Sequence, residues 1–194
     1  TDGEHVLTMF ASGVLVSLDF DGKIAWREEL PLLREEDGGI CSSPILYKDT
    51  VIVPGIQELG LRALDKQTGK VRWEQDTRQR NTYATPAVLR IGGKLQLIHN
   101  AGGIQGFDPD NGELLWSCQC ESSQSSVTFG GGLLYVDHGR GGRTGTAVDP
   151  TGSGDVSKTH IKWQTQVSCP AGTSPIVVGD YLYRIGGNGI IRCW

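Results

Sequence analysis

The sequence predicts an all-β fold of four-stranded antiparallel blades, a β-propeller, and three observations carry that expectation. One strand–turn–strand motif is written four times, its tryptophans Trp26, Trp73, Trp116 and Trp163 fall 47, 43 and 47 residues apart, and 28 of the 194 residues are glycine. A period of about 40–50 residues is that of a propeller blade, and the shorter helical solenoid repeats do not fit it.

The motif runs from Ser17 to Trp26, Ala63 to Trp73, Gly106 to Trp116 and Ala147 to Trp163. In the first three, Asp-Gly, Thr-Gly or Asn-Gly sits between runs of β-forming residues and supplies the positive φ of a tight hairpin. Asp19, Asp65, Asp108 and Asp149 are placed to cap those turns with their carboxylates, and the tryptophans are large enough to wedge one blade against its neighbour. Both residue types read as structural. The fourth copy spaces Asp149 and Trp163 by 14 positions against 8 in the second and third, so it is expected to carry a hairpin insertion of about six residues.

Two further strands precede each motif, which gives the order A to D. Residues 42–77, 84–118 and 126–167 are expected to form complete blades, 1–30 a partial blade of strands B to D, and 173–194 a partial blade of strands A to C. In this register Trp194 aligns with Leu64 and Phe107, just before the repeat's Asp, and is not a fifth docking tryptophan. Residues 1–194 thus form a single segment, about four blades' worth, expected to be part of a ring of seven or eight blades or to associate with another chain, because an open arc exposes apolar faces.

A net charge of −4 with both signs interspersed excludes the concentrated positive field that nucleic acid requires. No apolar run reaches the length of a membrane span, and the start at Thr1 reads as that of a trimmed or partial chain. Cys41, Cys118, Cys120, Cys169 and Cys193 are odd in number and lack C-x-x-C spacing, which argues against a disulfide framework or a zinc site.

The pattern Ala-x-Asp-x-x-Thr-Gly-x-x-x-Trp of Ala63 to Trp73, repeated loosely from Gly106 to Trp116, resembles the PQQ-like repeat of quinoprotein propellers. So does the Ser-Pro or Thr-Pro that opens strand A at Ser43, Thr85 and Ser174. The resemblance covers essentially the whole chain; no Trp-Asp dipeptide of a WD repeat occurs, and kelch-type repeats place the Trp closer to the Asp. It implies one of two classes. Quinoprotein dehydrogenases bind pyrroloquinoline quinone (PQQ) and calcium, with an adjacent Cys-Cys pair, an Asp base and a Glu/Asn calcium site; BamB-like and planctomycete-type extracytoplasmic propellers are non-catalytic. Here Gln119 separates Cys118 from Cys120, and the repeating Asp residues sit in turns. The expectation is therefore no cofactor and no catalytic or metal-binding residue, in a protein-binding scaffold of periplasmic or extracellular location. The alternative is a fragment of a PQQ-dependent oxidoreductase whose site lies in missing blades.

Binding belongs on the face with the long D-to-A and B-to-C loops. That face collects Arg34, Arg78, Arg80, Tyr83, His138, Arg140 and Arg143, the candidate contacts for a protein or peptide, and Cys41, Cys120 and Cys169 in equivalent D-to-A links. The glycine-rich stretch from Asp137 to Gly145 offers backbone N–H groups, two Arg and a His to an anion, but it matches no phosphate-loop pattern and is expected to be a B-to-C loop. Asp137 and His138 point to opposite faces of a strand and do not form a catalytic dyad.

Overall fold

In the computed structural model, the structure describes residues 1–30, 42–54, 60–77, 83–120, 125–137, 145–165, 173–185 and 189–194. These residues contain only strands and turns, in five sheets. The chain divides into two compact units, residues 1–81 with 110–112, and residues 82–109 with 113–194.

The first unit holds two sheets. One is β1 (His5–Met9), β2 (Val14–Asp19) and β3 (Ile24–Glu29); the other is β4 (Ile45–Tyr47), β5 (Thr50–Pro54), β6 (Leu61–Asp65) and β7 (Val71–Gln75), each antiparallel in chain order. Leu15, Trp26, Leu30, Val51, Val53 and Leu64 form its core. The turn 110–112 belongs to this unit because Trp73 lies against Gly112 and Lys48 Nζ pairs with Asp110 Oδ1 at 2.6 Å.

The second unit begins with β8 (Ala87–Ile91), β9 (Lys94–Asn100), β10 (Ile104–Phe107) and β11 (Leu114–Cys118). A second sheet follows, β12 (Thr128–Gly130), β13 (Leu133–Asp137), β14 (Gly145–Val148) and β16 (Ile161–Thr165), and a third, β17 (Ile176–Val178), β18 (Tyr181–Ile185) and β19 (Ile191–Cys193). The core joins Ile98, Ile104, Trp116 and Cys118 to Leu134, Val136 and Val148 of the next sheet.

The long fourth motif carries its extra residues in the hairpin between the antiparallel strands β14 and β16. Its extra residues form β15 (Gly154–Asp155), which leaves its own sheet and pairs parallel with β11, Trp116 opposite Gly154 and Ser117 opposite Asp155. Val156 is buried in the shared core and its N–H donates to Ser117 O at 2.8 Å, so the apolar side chain anchors the crossing. The sheet of β8–β11 therefore has five strands, not four.

Four sheets share one local device. The register shifts at Ser17/Leu18, Ala63/Leu64, Gly106/Phe107 and Ala147/Val148, each just before the repeat's Asp. Immediately before the shift, the small residue pairs with the tryptophan: Ser17 with Trp26, Ala63 with Trp73, Gly106 with Trp116, Ala147 with Trp163. A small neighbour leaves room for an indole to lie across the sheet, and the bulge sharpens the twist into the turn. In the last sheet Trp194 and Leu182 exchange backbone hydrogen bonds of 2.9 and 3.0 Å. That is the register position of Leu64 opposite Val51 and Phe107 opposite Leu97.

Candidate functional site

Three of the four repeating carboxylates are occupied by their own turns. Asp19 Oδ1 accepts from the N–H groups of Asp21 and Lys23 at 3.0 and 2.8 Å. Asp65 Oδ1 accepts from Gln67 and Thr68 N–H at 3.0 and 2.8 Å, while Oδ2 takes Arg72 at 2.5 Å. Asp149 Oδ1 takes the N–H and hydroxyl of Thr151 at 3.0 and 2.6 Å, and its Oδ2 lies 3.1 Å from Lys162 Nζ. The Arg72 hydrogen bond, with help from Thr68, holds the Asp65 carboxyl down at about 2. The Thr151 hydroxyl is the main cause of the same value at Asp149. These are turn caps, with lone pairs already committed.

Trp26 and Trp73 each lie on the glycine turn of the following repeat. A Cβ on Gly69 would stand 2.7 Å from Cε3 of Trp26, and one on Gly112 2.6 Å from Cε3 of Trp73. Trp26 Nε1 also donates to Lys66 O at 2.8 Å. Trp116 behaves differently: it is fully buried, lies over Gly106 of its own sheet and donates from Nε1 to Gln96 Oε1 at 2.8 Å.

Trp163 lines the candidate site. Tyr135, Ala147 and Trp163 stand in one row across β13, β14 and β16, and above the small Ala147 the two rings meet, centroids 5.9 Å apart and tilted by 44°. With Gly130, Val177, Tyr181 and Trp194 they enclose a cleft of about 510 Å³ between the last two sheets. Gly130 brings these sheets together, since a Cβ there would stand 2.5 Å from Val177 Cγ1. Ile176, Val178 and Ile191, on the face of the last sheet opposite Val177, are each more than half exposed. An aromatic-walled cleft suits the apolar side chains of an extended polypeptide.

Below it lies a charge pair that sequence reasoning missed. Arg184 on β18 donates through Nε to Asp137 Oδ2 at 2.7 Å and through Nη2 to Oδ1, a two-point contact with both side chains almost wholly buried. The guanidinium also sits 5.1 Å from the Trp194 ring centroid, a cation–π contact. Gly145, paired with Asp137 across the strands, makes the space: a Cβ there would stand 2.9 Å from Arg184 Cζ. The signal was available. Arg184 takes a strand-B slot filled by Val53 and Val136 in other repeats, and a buried cation requires a buried anion.

A second missed feature is the hydroxyl pair that opens strand A. Ser125 Oγ donates to Asp137 O at 3.1 Å and accepts from Asp137 N at 2.8 Å, and Thr173 Oγ1 donates to Ile185 O at 3.0 Å. The next residue ties neighbouring sheets: Thr85 N–H donates to Ser126 Oγ at 3.1 Å and Ser126 N–H to Ser174 Oγ at 3.0 Å. The signal is the doublet itself, Ser42-Ser43, Ser125-Ser126 and Thr173-Ser174.

Of the expected long-loop face, Tyr83 is described and exposed, at 41 %. Arg34, Arg78, Arg80, His138, Arg140 and Arg143 lie outside the described residues, as do Cys41 and Cys169. Among the described residues no three of His, Cys, Asp or Glu converge on one point. Asp19, Asp65 and Asp149 are bound in their turns, and Cys118 and Cys120 are not adjacent. Among the described residues, too, no helix is long and apolar enough to cross a membrane.

A family profile described as outer membrane protein assembly factor BamB matches residues 1–194. Among solved structures, BamB from Moraxella catarrhalis superposes with a TM-score of 0.71 at 19% identity, covering 98% of this chain and 54% of that one. Quinohemoprotein alcohol dehydrogenase from Comamonas testosteroni gives 0.64 at 16% identity over 97% of this chain and 37% of its own. The computationally designed Ika8 protein gives 0.58 at 15%, over 97% and 57%. The chain spans about half the length of the Moraxella protein. No curated protein matches the sequence. At these identities the structural likeness establishes the β-propeller fold.

Proposed function

Because the chain belongs to the PQQ-like propeller family described as outer membrane protein assembly factor BamB, we propose that it is part of a non-catalytic, extracytoplasmic scaffold that binds protein. The observation that carries this reading is the cleft lined by Tyr135, Trp163, Tyr181 and Trp194. Its occupant is an extended segment of a partner polypeptide whose apolar side chains fill the space between the aromatic walls. The commitment of the Asp19, Asp65 and Asp149 carboxylates to their turns supports a reading without quinone chemistry in these blades.

The test uses the full-length protein with a photo-crosslinking residue in place of Tyr181 and an unfolded outer-membrane β-barrel polypeptide as probe. The expected result is a crosslink between the two chains that Trp194→Ala weakens at least tenfold. Crosslinks confined to the protein's own chain would remove the cleft as a partner site. In parallel, pyrroloquinoline quinone with calcium is expected to leave the melting temperature unchanged; a rise that grows with ligand concentration, with dye reduction, would overturn the non-catalytic assignment.

A further inference from the structure

Strand β11 ends at Cys118, and Cys120 follows after one residue as the chain leaves the ladder. Cys118 is buried in the apolar core formed with Ile104 and Leu134, and the half-buried Cys120 packs against the same cluster. Both are thiols packed on that one cluster, and no disulfide joins them.

The backbone around the pair is held on both sides. Gly103 sits under the Cys118 carbonyl, where a Cβ would stand 2.9 Å from the oxygen. Gln119 N–H donates to Ser157 Oγ at 2.8 Å, just past β15. In a regular strand, residues i and i+2 share a face about 6.5 Å apart, near the upper end of the Cα separation a disulfide spans. Because β11 ends at Cys118, Cys120 is outside the ladder and its backbone is free of that strand register.

We propose that Cys118 and Cys120 are a reversible redox pair, closing to a Cys-x-Cys disulfide by exchange with the disulfide of a thiol–disulfide partner. Cys120, the more exposed sulfur, attacks as thiolate one sulfur of the partner's disulfide; a mixed disulfide forms and one partner thiolate leaves. Cys118 then gives up its proton to solvent and attacks the Cys120 sulfur, forming the internal bond and releasing the second partner thiolate. Two thiols lose two electrons, and the partner's disulfide gains them as a dithiol.

The environment orders the two steps. The Cys118 thiol is held well above its ordinary range, first by the hydrogen bond with Cys120, then by burial, then by the nearby charges of Cys120 and Asp155. Capping Cys120 as a mixed disulfide removes the first of these and the charge on that sulfur, so Cys118 becomes an effective nucleophile only once the mixed disulfide exists. A ring closed over one intervening residue is strained, and strained disulfides are readily reduced, which marks a labile pair and not a permanent staple.

The test is a titration of the full chain in glutathione buffers from reducing to oxidising, trapped by alkylation and mapped by peptide mass. The expected result is one peptide carrying both cysteines that loses two hydrogens and both alkylation sites together, and recovers them with a dithiol. In Cys118→Ser, a glutathione adduct on Cys120 accumulates in place of the ring. The inference is overturned if both thiols stay alkylatable at every ratio, if Cys120 is found joined to Cys41 or Cys169, or if the adduct accumulates equally in the native chain. Cys41→Ser/Cys169→Ser/Cys193→Ser isolates the pair, and the native peptide map decides the question should that variant not fold.

Discussion

The ring of Trp26 occupies the space that a side chain on Gly69 would need: a Cβ there would stand 2.7 Å from Cε3, and Gly69 itself holds a φ of +72°. Two penalties follow for Gly69→Ala, about 1–2 kcal/mol for the left-handed backbone and about 1–3 kcal/mol for overpacking against the indole. Gly22 has the same backbone, φ +82°, with nothing within 4 Å of its Cβ position, and is expected to incur the first penalty alone. Urea midpoints of the two variants separate the terms. Equal losses would show that the indole contact contributes nothing.

Gln96→Leu is expected to leave the Trp116 N–H buried without an acceptor, at a cost of about 1–3 kcal/mol. Trp116→Phe in the same background removes the orphaned donor, so the double variant should lose less than the sum of the two single changes. A double-mutant cycle by chemical denaturation reads the coupling.

Asp137→Ala strands the Arg184 guanidinium in the core, and a loss of about 3–5 kcal/mol is expected. Replacing both partners, Asp137→Leu with Arg184→Met, should recover most of it, because the desolvation penalty goes together with the attraction. Melting temperatures of the three proteins test this; a double variant no more stable than Asp137→Ala would contradict it.

His99 on β9 is completely buried, its Nδ1 has no hydrogen-bond partner among the described residues, and burial lowers its pKa to about 4. The unfolded chain binds a proton near pH 6.5 and the folded chain only near 4, so stability rises with pH across that window and is lost as pH falls through it. The linked change is about 3 kcal/mol between pH 7 and pH 4. His99→Phe should flatten the dependence. Urea midpoints with the same pH slope in both proteins would show that His99 is not held neutral.

The repeat was legible because each of its parts acts locally. Asp65 with Thr68 and Gly69, or Asp149 with Thr151, builds its turn from its own neighbours, and the small residue opposite each tryptophan lies two positions before the Asp. What escaped depends on partners distant in sequence. The length of the fourth motif disclosed extra residues, but their destination is the free edge of β11, which only the packed neighbour provides. The Tyr135–Trp163 cleft likewise needs the approach of Val177 over Gly130, and neither residue advertises it alone. Arg184 was visible as a cation in an apolar slot, yet its anion stands 47 residues away. The basic residues chosen for the long-loop face, Arg78 and Arg140 among them, lie outside the described residues.

In a chain of stacked repeats each module contacts only its neighbours, and opening can begin at either end and run inward one module at a time. The excursion of Gly154–Asp155 onto β11 breaks that independence at one joint. There two modules share main-chain hydrogen bonds as well as side-chain packing. Neither can melt without disturbing the other's ladder. The amide hydrogens of β11 and β14 should therefore exchange together, as one cooperative block.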